Sequence, residues 1–333
     1  MGPRRMKKHP RPAMILALAA LAAAPAPDAR AESCTLRGEP LLPNGTVLYE
    51  GPAGGAELAH FSGAEVALAV TDFPEAAGGG RAAVETSGFK LKGFVRARDL
   101  PVYTARAVPV YAGHSWIGEG RKVTVLGRSG ARLQVEKVVS WPLSGTFQGW
   151  SACDAFTLSP RVPPGWSAPG GYRGYVVKKD RIDLYTAEKG DVVTSIERVI
   201  DGPGVLLWSN ERSGAWIHVE HHGEVVLDAW VRAQDVGPLP PGETMDQLAQ
   251  STKLPGSPKL SLQGTPRAAK APVTIPLRAA ASDAALPIGA IEGGTEVLVL
   301  DVVAGWANVI PKSLAVMPAG SGAFWARAKE LGL

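Results

Sequence analysis

The sequence predicts an all-β chain built from one small unit used about four times, and three observations predict it. A closing phrase recurs as Phe94-Val95-Arg96-Ala97-Arg98-Asp99-Leu100, Trp230-Val231-Arg232-Ala233-Gln234-Asp235-Val236 and Trp325-Ala326-Arg327-Ala328-Lys329-Glu330-Leu331, with a looser copy at Trp150–Phe156. Each copy ends a stretch of period-two apolar alternation bounded by Gly, Pro and Asn, the signature of short strands and tight turns. Helical periodicity is scarce throughout.

The N-terminus reads as an address rather than as fold. Arg4, Arg5, Lys7, Lys8 and Arg11 precede an apolar run, Ala13–Ala24, too short to span a bilayer comfortably. Ala29-Arg30-Ala31 then supplies a small-x-small cleavage pattern, so residues 1–31 are expected to be a signal peptide and the mature chain periplasmic or secreted, without a transmembrane segment. That leader carries six of the 35 basic residues and one of the 31 acidic ones, leaving the mature chain near −1. With no Lys/Arg cluster left, nucleic-acid binding is not expected. Two cysteines, Cys34 and Cys153, are expected to pair in the oxidising compartment.

The elements follow one order in each unit. The openings are Val47-Leu48-Tyr49-Glu50, Val108-Pro109-Val110-Tyr111, Ile182-Asp183-Leu184-Tyr185 and Ile275-Pro276-Leu277-Arg278, each an alternating apolar pair before a large residue. A Gly-led strand comes next: residues 63–70, then Lys122–Leu126 after Gly120, Val192–Ile196 after Gly190, and Glu296–Leu300 after Gly294. A middle strand follows at Leu133–Glu136, Gly214–Val219 and Gly305–Val309, and the Trp- or Phe-led phrase closes the unit. These divisions give units at residues 40–100, 101–159, 172–237 and 272–333. Residues 160–171 separate the second and third units, and residues 238–271, rich in Pro, Gly, Ser and Thr, read as a semi-extended linker.

The order resembles the bacterial Src-homology-3-like (SH3-like, SH3b) repeats of exported proteins. Gly294-Thr295-Glu296-Val297-Leu298-Val299-Leu300, Gly305-Trp306-Ala307-Asn308-Val309 and Phe324–Leu331 match that pattern best, and the third unit nearly as well. The first unit lacks a Trp in its middle strand, and the second has Ser-Ala-Cys within its closure. The resemblance implies about four tandem SH3-like β-barrels joined by Pro/Gly-rich linkers. Such small barrels depend on each large buried residue and on glycines that let short strands bend.

Residues with chemistry are few. His218-Val219-Glu220-His221-His222 offers two imidazoles and a carboxylate to a divalent ion, though not at the spacing of a helical zinc motif. Cys153 with His60, His114 or His218 is the one Cys/His nucleophile arrangement available, and neither a G-x-S-x-G elbow nor a phosphate loop occurs. Nine tryptophans remain. Trp216, Trp230, Trp306 and Trp325 hold repeat positions and are expected in the core, whereas Trp116, Trp141 and Trp166 stand among Gly, Ser and Pro and are the candidate ligand-binding aromatics.

Repetition with no catalytic-sized remainder points to a non-enzymatic binding or scaffold protein needing no cofactor, its partner peptidoglycan or an envelope protein. The rival readings are a metal- or Cys-dependent envelope hydrolase and a spacer without a dedicated ligand.

Overall fold

A computed structural model describes residues 34–75, 80–140, 143–198, 205–239, 265–320 and 322–333. The proposed leader, Trp141 and most of the linker lie outside the described residues. Among the described residues every regular element is a strand or a short 3-10 turn, and no helix is long and apolar enough to cross a membrane.

The strands fall into four runs of the same order. The first is β1 (Leu36–Gly38), β2 (Val47–Tyr49), β3 (Glu57–Phe61), β4 (Leu68–Asp72), β5 (Arg81–Thr86) and β6 (Phe89–Arg96). The second is β7 (Val102–Thr104), β8 (Val108–Tyr111), β9 (Ser115–Ile117), β10 (Lys122–Ser129), β11 (Arg132–Val139), β12 (Leu143–Ala152) and β13 (Phe156–Thr157). The third is β14 (Arg173–Val177), β15 (Arg181–Tyr185), β16 (Val192–Arg198), β17 (Leu206–Ser213), β18 (Trp216–His222), β19 (Val225–Arg232) and β20 (Val236–Pro238). The fourth is β21 (Arg267–Lys270), β22 (Ile275–Arg278), β23 (Pro287–Ile291), β24 (Glu296–Val303), β25 (Trp306–Pro311), β26 (Val316–Pro318) and β27 (Trp325–Arg327). A 3-10 turn follows each closing strand, at Ala97–Asp99, Cys153–Ala155, Ala233–Asp235 and Ala328–Leu331.

Local geometry explains the recurring phrases. In all four runs the opening strand breaks register at its end: between Leu48 and Tyr49, Pro109 and Tyr111, Leu184 and Tyr185, and Leu277 and Arg278. The extra residue is Leu58, Val193 or Ile288 on the following strand, and Val110 on the opening strand of the second run. Such a bulge bends the pair, and the residue just past the shift meets the aromatic that leads the closure, as Tyr49 with Phe94, Tyr185 with Trp230 and Arg278 with Trp325. A second bulge recurs in β4, β10, β17 and β24. Gly93 and Gly149 precede two of these aromatics because an opening-strand carbonyl, of Tyr49 or Pro109, presses where a Cβ would stand.

The four runs do not form four separate barrels, as the sequence led us to expect. They merge in pairs into two antiparallel sheets, a 13-stranded one from the first and fourth runs and a 14-stranded one from the second and third. The physical reason is a reciprocal exchange of edges. β6 pairs with β23 through Gly289↔Leu91, while β26 pairs with β3 through Val316↔Phe61. The inner pair repeats the scheme: β12 meets β16 through Leu143↔Arg198, and β19 meets β9 through Val226↔Trp116. The strand after each opening strand (β3, β9, β16 and β23) is thus paired by a late strand of its partner run (β26, β19, β12 and β6), which removes exposed edges at the joint. The third run also corrects the placement of its Gly-led strand. Val192–Ile196 is in β16, paired with the opening strand β15 through Ile182↔Ile196, and β17 is the hairpin partner of the Trp216 strand.

One apolar core runs through both sheets, with Phe61, Phe73, Phe147 and Phe324 fully buried. Phe89 and Phe324 meet across the outer pair at 5.3 Å between ring centroids. The two sheets are tied by the Cys34–Cys153 disulfide, with Cα atoms 5.6 Å apart. Arg128 adds to this junction, its Nε donating to the Phe73 carbonyl at 3.2 Å and its guanidinium facing Asp72 at 3.2 Å.

Candidate functional site

Alternation along β18 sorts the His/Glu run between two faces. Ile217, Val219 and His221 point into the core, and His218, Glu220 and His222 point outward. Register then places neighbours on the same outward face, since directly opposed residues in an antiparallel pair share a side. Trp208 on β17 opposes Glu220, which opposes Asp228 on β19. Glu211 opposes His218, which opposes Trp230. His222 opposes Val226, which opposes Trp116 on β9. The face therefore crosses from the third run into the second.

The segment between these runs folds over one side of the face. The Trp166 indole stacks on the His222 imidazole, 4.0 Å between centroids and 9° between planes, and lies 6.2 Å from Trp208. The Tyr172 hydroxyl donates to Glu220 Oε1 at 2.9 Å, and His222 Nε2 lies 3.1 Å from Glu220 Oε2. On the next row His218 Nε2 is 2.5 Å from Asp228 Oδ1, its Nδ1 3.5 Å from Glu211, and its ring 5.2 Å from Trp230.

Burial by itself would push the Glu220 carboxyl up. Hydrogen bonds from His222 and Tyr172, with the charges of His222 and His218, override that and hold it below the ordinary carboxylate value. Glu220 is therefore a fixed anion. Among the described residues the only ion-pair partners of Glu211, Glu220 and Asp228 are His218 and His222.

Of the aromatics singled out from sequence, Trp116 and Trp166 are half-buried on or beside this face, and Trp141 lies outside the described residues. The four candidate metal ligands are not brought together. His218, Glu220 and His222 are outward and engaged with other side chains, whereas His221 is buried on the opposite side with Nδ1 2.9 Å from the Leu206 carbonyl. Among the described residues no group of three or more His, Cys, Asp or Glu side chains could hold a metal ion. Cys153 has its sulfur in the disulfide and offers no thiolate.

The repeat-position tryptophans also divide. Trp216 and Trp306 are buried, the former edge-on to Tyr185 at 5.1 Å, whereas Trp230 and Trp325 are half-exposed. Sequence reasoning missed Trp208, Trp230, Asp228 and Tyr172 as members of the face. Period-two alternation against the buried Leu207, Leu227, Ala229 and Val231 was the signal that marks the first three.

The buried His221 gives the stability of the fold a pH dependence. Burial lowers its pKa first, with His222 and Arg121 adding to the effect against the opposing Leu206 carbonyl. An imidazole whose folded pKa lies below its unfolded value leaves the unfolded chain holding more protons. Stability then falls as pH drops below about 6.5, with a slope of up to about 1.4 kcal/mol per pH unit. Urea midpoints at pH 7.5 and pH 5 should differ less in His221→Gln than in the parent. An equal loss in both proteins would refute this role for His221.

No family model matches the chain, and no curated protein and no solved structure matches it.

Proposed function

We propose that the chain is an exported, non-enzymatic binding protein of the cell envelope, made of four SH3-like modules, that recognises peptidoglycan through the outward face of β17, β18, β19 and β9. The observation that carries this reading is the group of half-exposed indoles, Trp116, Trp208 and Trp230 on the sheet and Trp166 folded over it, set among carboxylates and imidazoles. Flat apolar faces beside hydrogen-bonding groups suit a sugar ring, which offers C–H bonds on its faces and hydroxyls at its edge. Support for the module count is the fourfold recurrence of the two bulges, the closing aromatic and the 3-10 turn. The Cys34–Cys153 disulfide is in keeping with an oxidising compartment, hence with export.

The test is retention of the purified protein on cell-wall sacculi. Trp208→Ala, and separately Trp166→Ala, should each weaken binding by about 5- to 10-fold, the worth of one aromatic contact of ~1–1.5 kcal/mol. Trp325→Ala, on the other sheet, serves as the comparison and should leave retention unchanged. No retention of the parent protein at any salt concentration would sink the glycan reading.

A further inference from the structure

Within that face, the rung Trp208–Glu220–Asp228 is chemically unusual. Directly opposed like charges destabilise a sheet, yet Glu220 and Asp228 are directly opposed. No lysine or arginine offsets them among the described residues, and their partners are the imidazoles His222 and His218 with the Tyr172 hydroxyl. A purely structural rung would gain by placing a lysine at either position. Independently of the charges, aromatic rings bound the rung. Trp208 stands at one end, Trp166 lies 6.2 Å from it, and Trp230 packs at 5.2 Å on His218 in the neighbouring row. Indole faces attract cations through their quadrupole as readily as they stack on sugars. Carboxylates and ring faces therefore favour the same kind of charge.

We propose that this rung binds a protonated primary amine carried by the ligand, with Glu220 and Asp228 accepting its N–H bonds and Trp208 and Trp166 flanking it. The assignment rests on the reading of this face as the ligand surface and adds a selectivity to it: glycan with free amino groups over the same glycan N-acetylated. An N-acetyl group replaces the ammonium by a neutral amide, which has one N–H to donate and no charge to offer the carboxylates. Glu220 suits the task because its hydrogen bonds from Tyr172 and His222 fix the carboxylate in place before the ligand arrives.

The experiment is a tryptophan-fluorescence titration of the mature protein with glucosamine oligomers and with N-acetylglucosamine oligomers of equal length, and with trilysine as a third probe. The amino oligomer should bind about tenfold more tightly than the acetylated one, a difference of ~1.4 kcal/mol. Glu220→Gln and Asp228→Asn should each erase that preference, bringing the ratio of the two affinities to about one, and both variants should keep the parent melting temperature. Trilysine binding as tightly as the amino oligomer would also support the ammonium site and place its natural source on peptide amines. Equal affinity for the two sugars, or a preference that survives both substitutions, would overturn the proposal while leaving the face as a glycan surface. No binding of either sugar or of trilysine would overturn this proposal and the surface reading together.

Discussion

Replacing Gly289 by alanine is expected to cost about 3 kcal/mol, near the upper end for overpacking a filled site, and to loosen the outer pair of runs from each other. Gly289 opposes Leu91 where β23 joins β6. A Cβ there would fall well inside contact distance of the Lys90 backbone carbonyl and 2.9 Å from Leu91 Cδ2. The leucine tip can turn aside, but the carbonyl belongs to the ladder and cannot move without parting the strands. The loss then spreads to the Phe89–Phe324 contact and to the reciprocal β26–β3 ladder on the same joint. Calorimetry should show a lower and broader transition. Gly170→Ala is the control, since nothing lies within 4 Å of its added Cβ; it should stay within about 0.5 kcal/mol of the parent. Equal transitions for the two variants would show that the sheet joint is not a stability determinant.

Removal of the disulfide is expected to cost more. Cys34 and Cys153 are separated by 119 residues, and chain entropy puts the closing of so long a loop at about 4–5 kcal/mol. Cys34 is fully buried and lies just before β1, whose ladder with β4 is only three residue pairs long. Without the bond that strand is left to its short ladder, the buried Leu36, the Val66 amide donating to the Pro40 carbonyl at 3.2 Å and the Glu39 amide donating to Ser159 Oγ at 3.0 Å. The double variant Cys34→Ala/Cys153→Ala should unfold at a markedly lower denaturant concentration, and reductant should bring the parent protein to the same midpoint. A midpoint insensitive to both treatments would show that packing and the Arg128 contacts hold the two sheets without the bond.

Much of the architecture was legible in the residues, because each recurring phrase reports a local constraint. Tyr49, Tyr185 and Arg278 recur because the residue just past each register shift must meet the closing aromatic, and Gly93 and Gly149 recur because a carbonyl leaves no room for a Cβ. The all-β class and the Cys34–Cys153 pairing followed from alternation and cysteine count. What the residues did not reveal is which edges are exchanged. Pro287–Ile291 reads the same whether it closes its own run or pairs with Phe89–Leu91, since the ladder is made by backbone. The same ambiguity misplaced Val192–Ile196, a valid strand beside a glycine that in fact flanks the opening strand.

The candidate face was legible only in part, for a related reason. His218, Glu220 and His222 stand out as a chemical cluster, but alternation within β18 is what separates them from His221. Trp208, Asp228 and Trp116 join them across strands, through registers that local sequence does not encode. Trp166 comes from a segment that composition marks as a spacer and Tyr172 from the residue just after it, yet both settle on β18.

The nesting of one pair of runs inside the other orders events as the polypeptide is synthesised from its N-terminus. The strand ending at Arg96 emerges first, but its ladder partner, Pro287–Ile291, comes out only after the whole inner sheet has passed. Until then Phe61 and Phe89 stand on bare edges, and such edges invite aggregation in nascent chains. The inner pair has all its ladder partners by Pro238 and can assemble first. The opening quarter is thus the part of the molecule that stays incomplete longest during synthesis, and any premature stop before Ile291 leaves it without its partner strand.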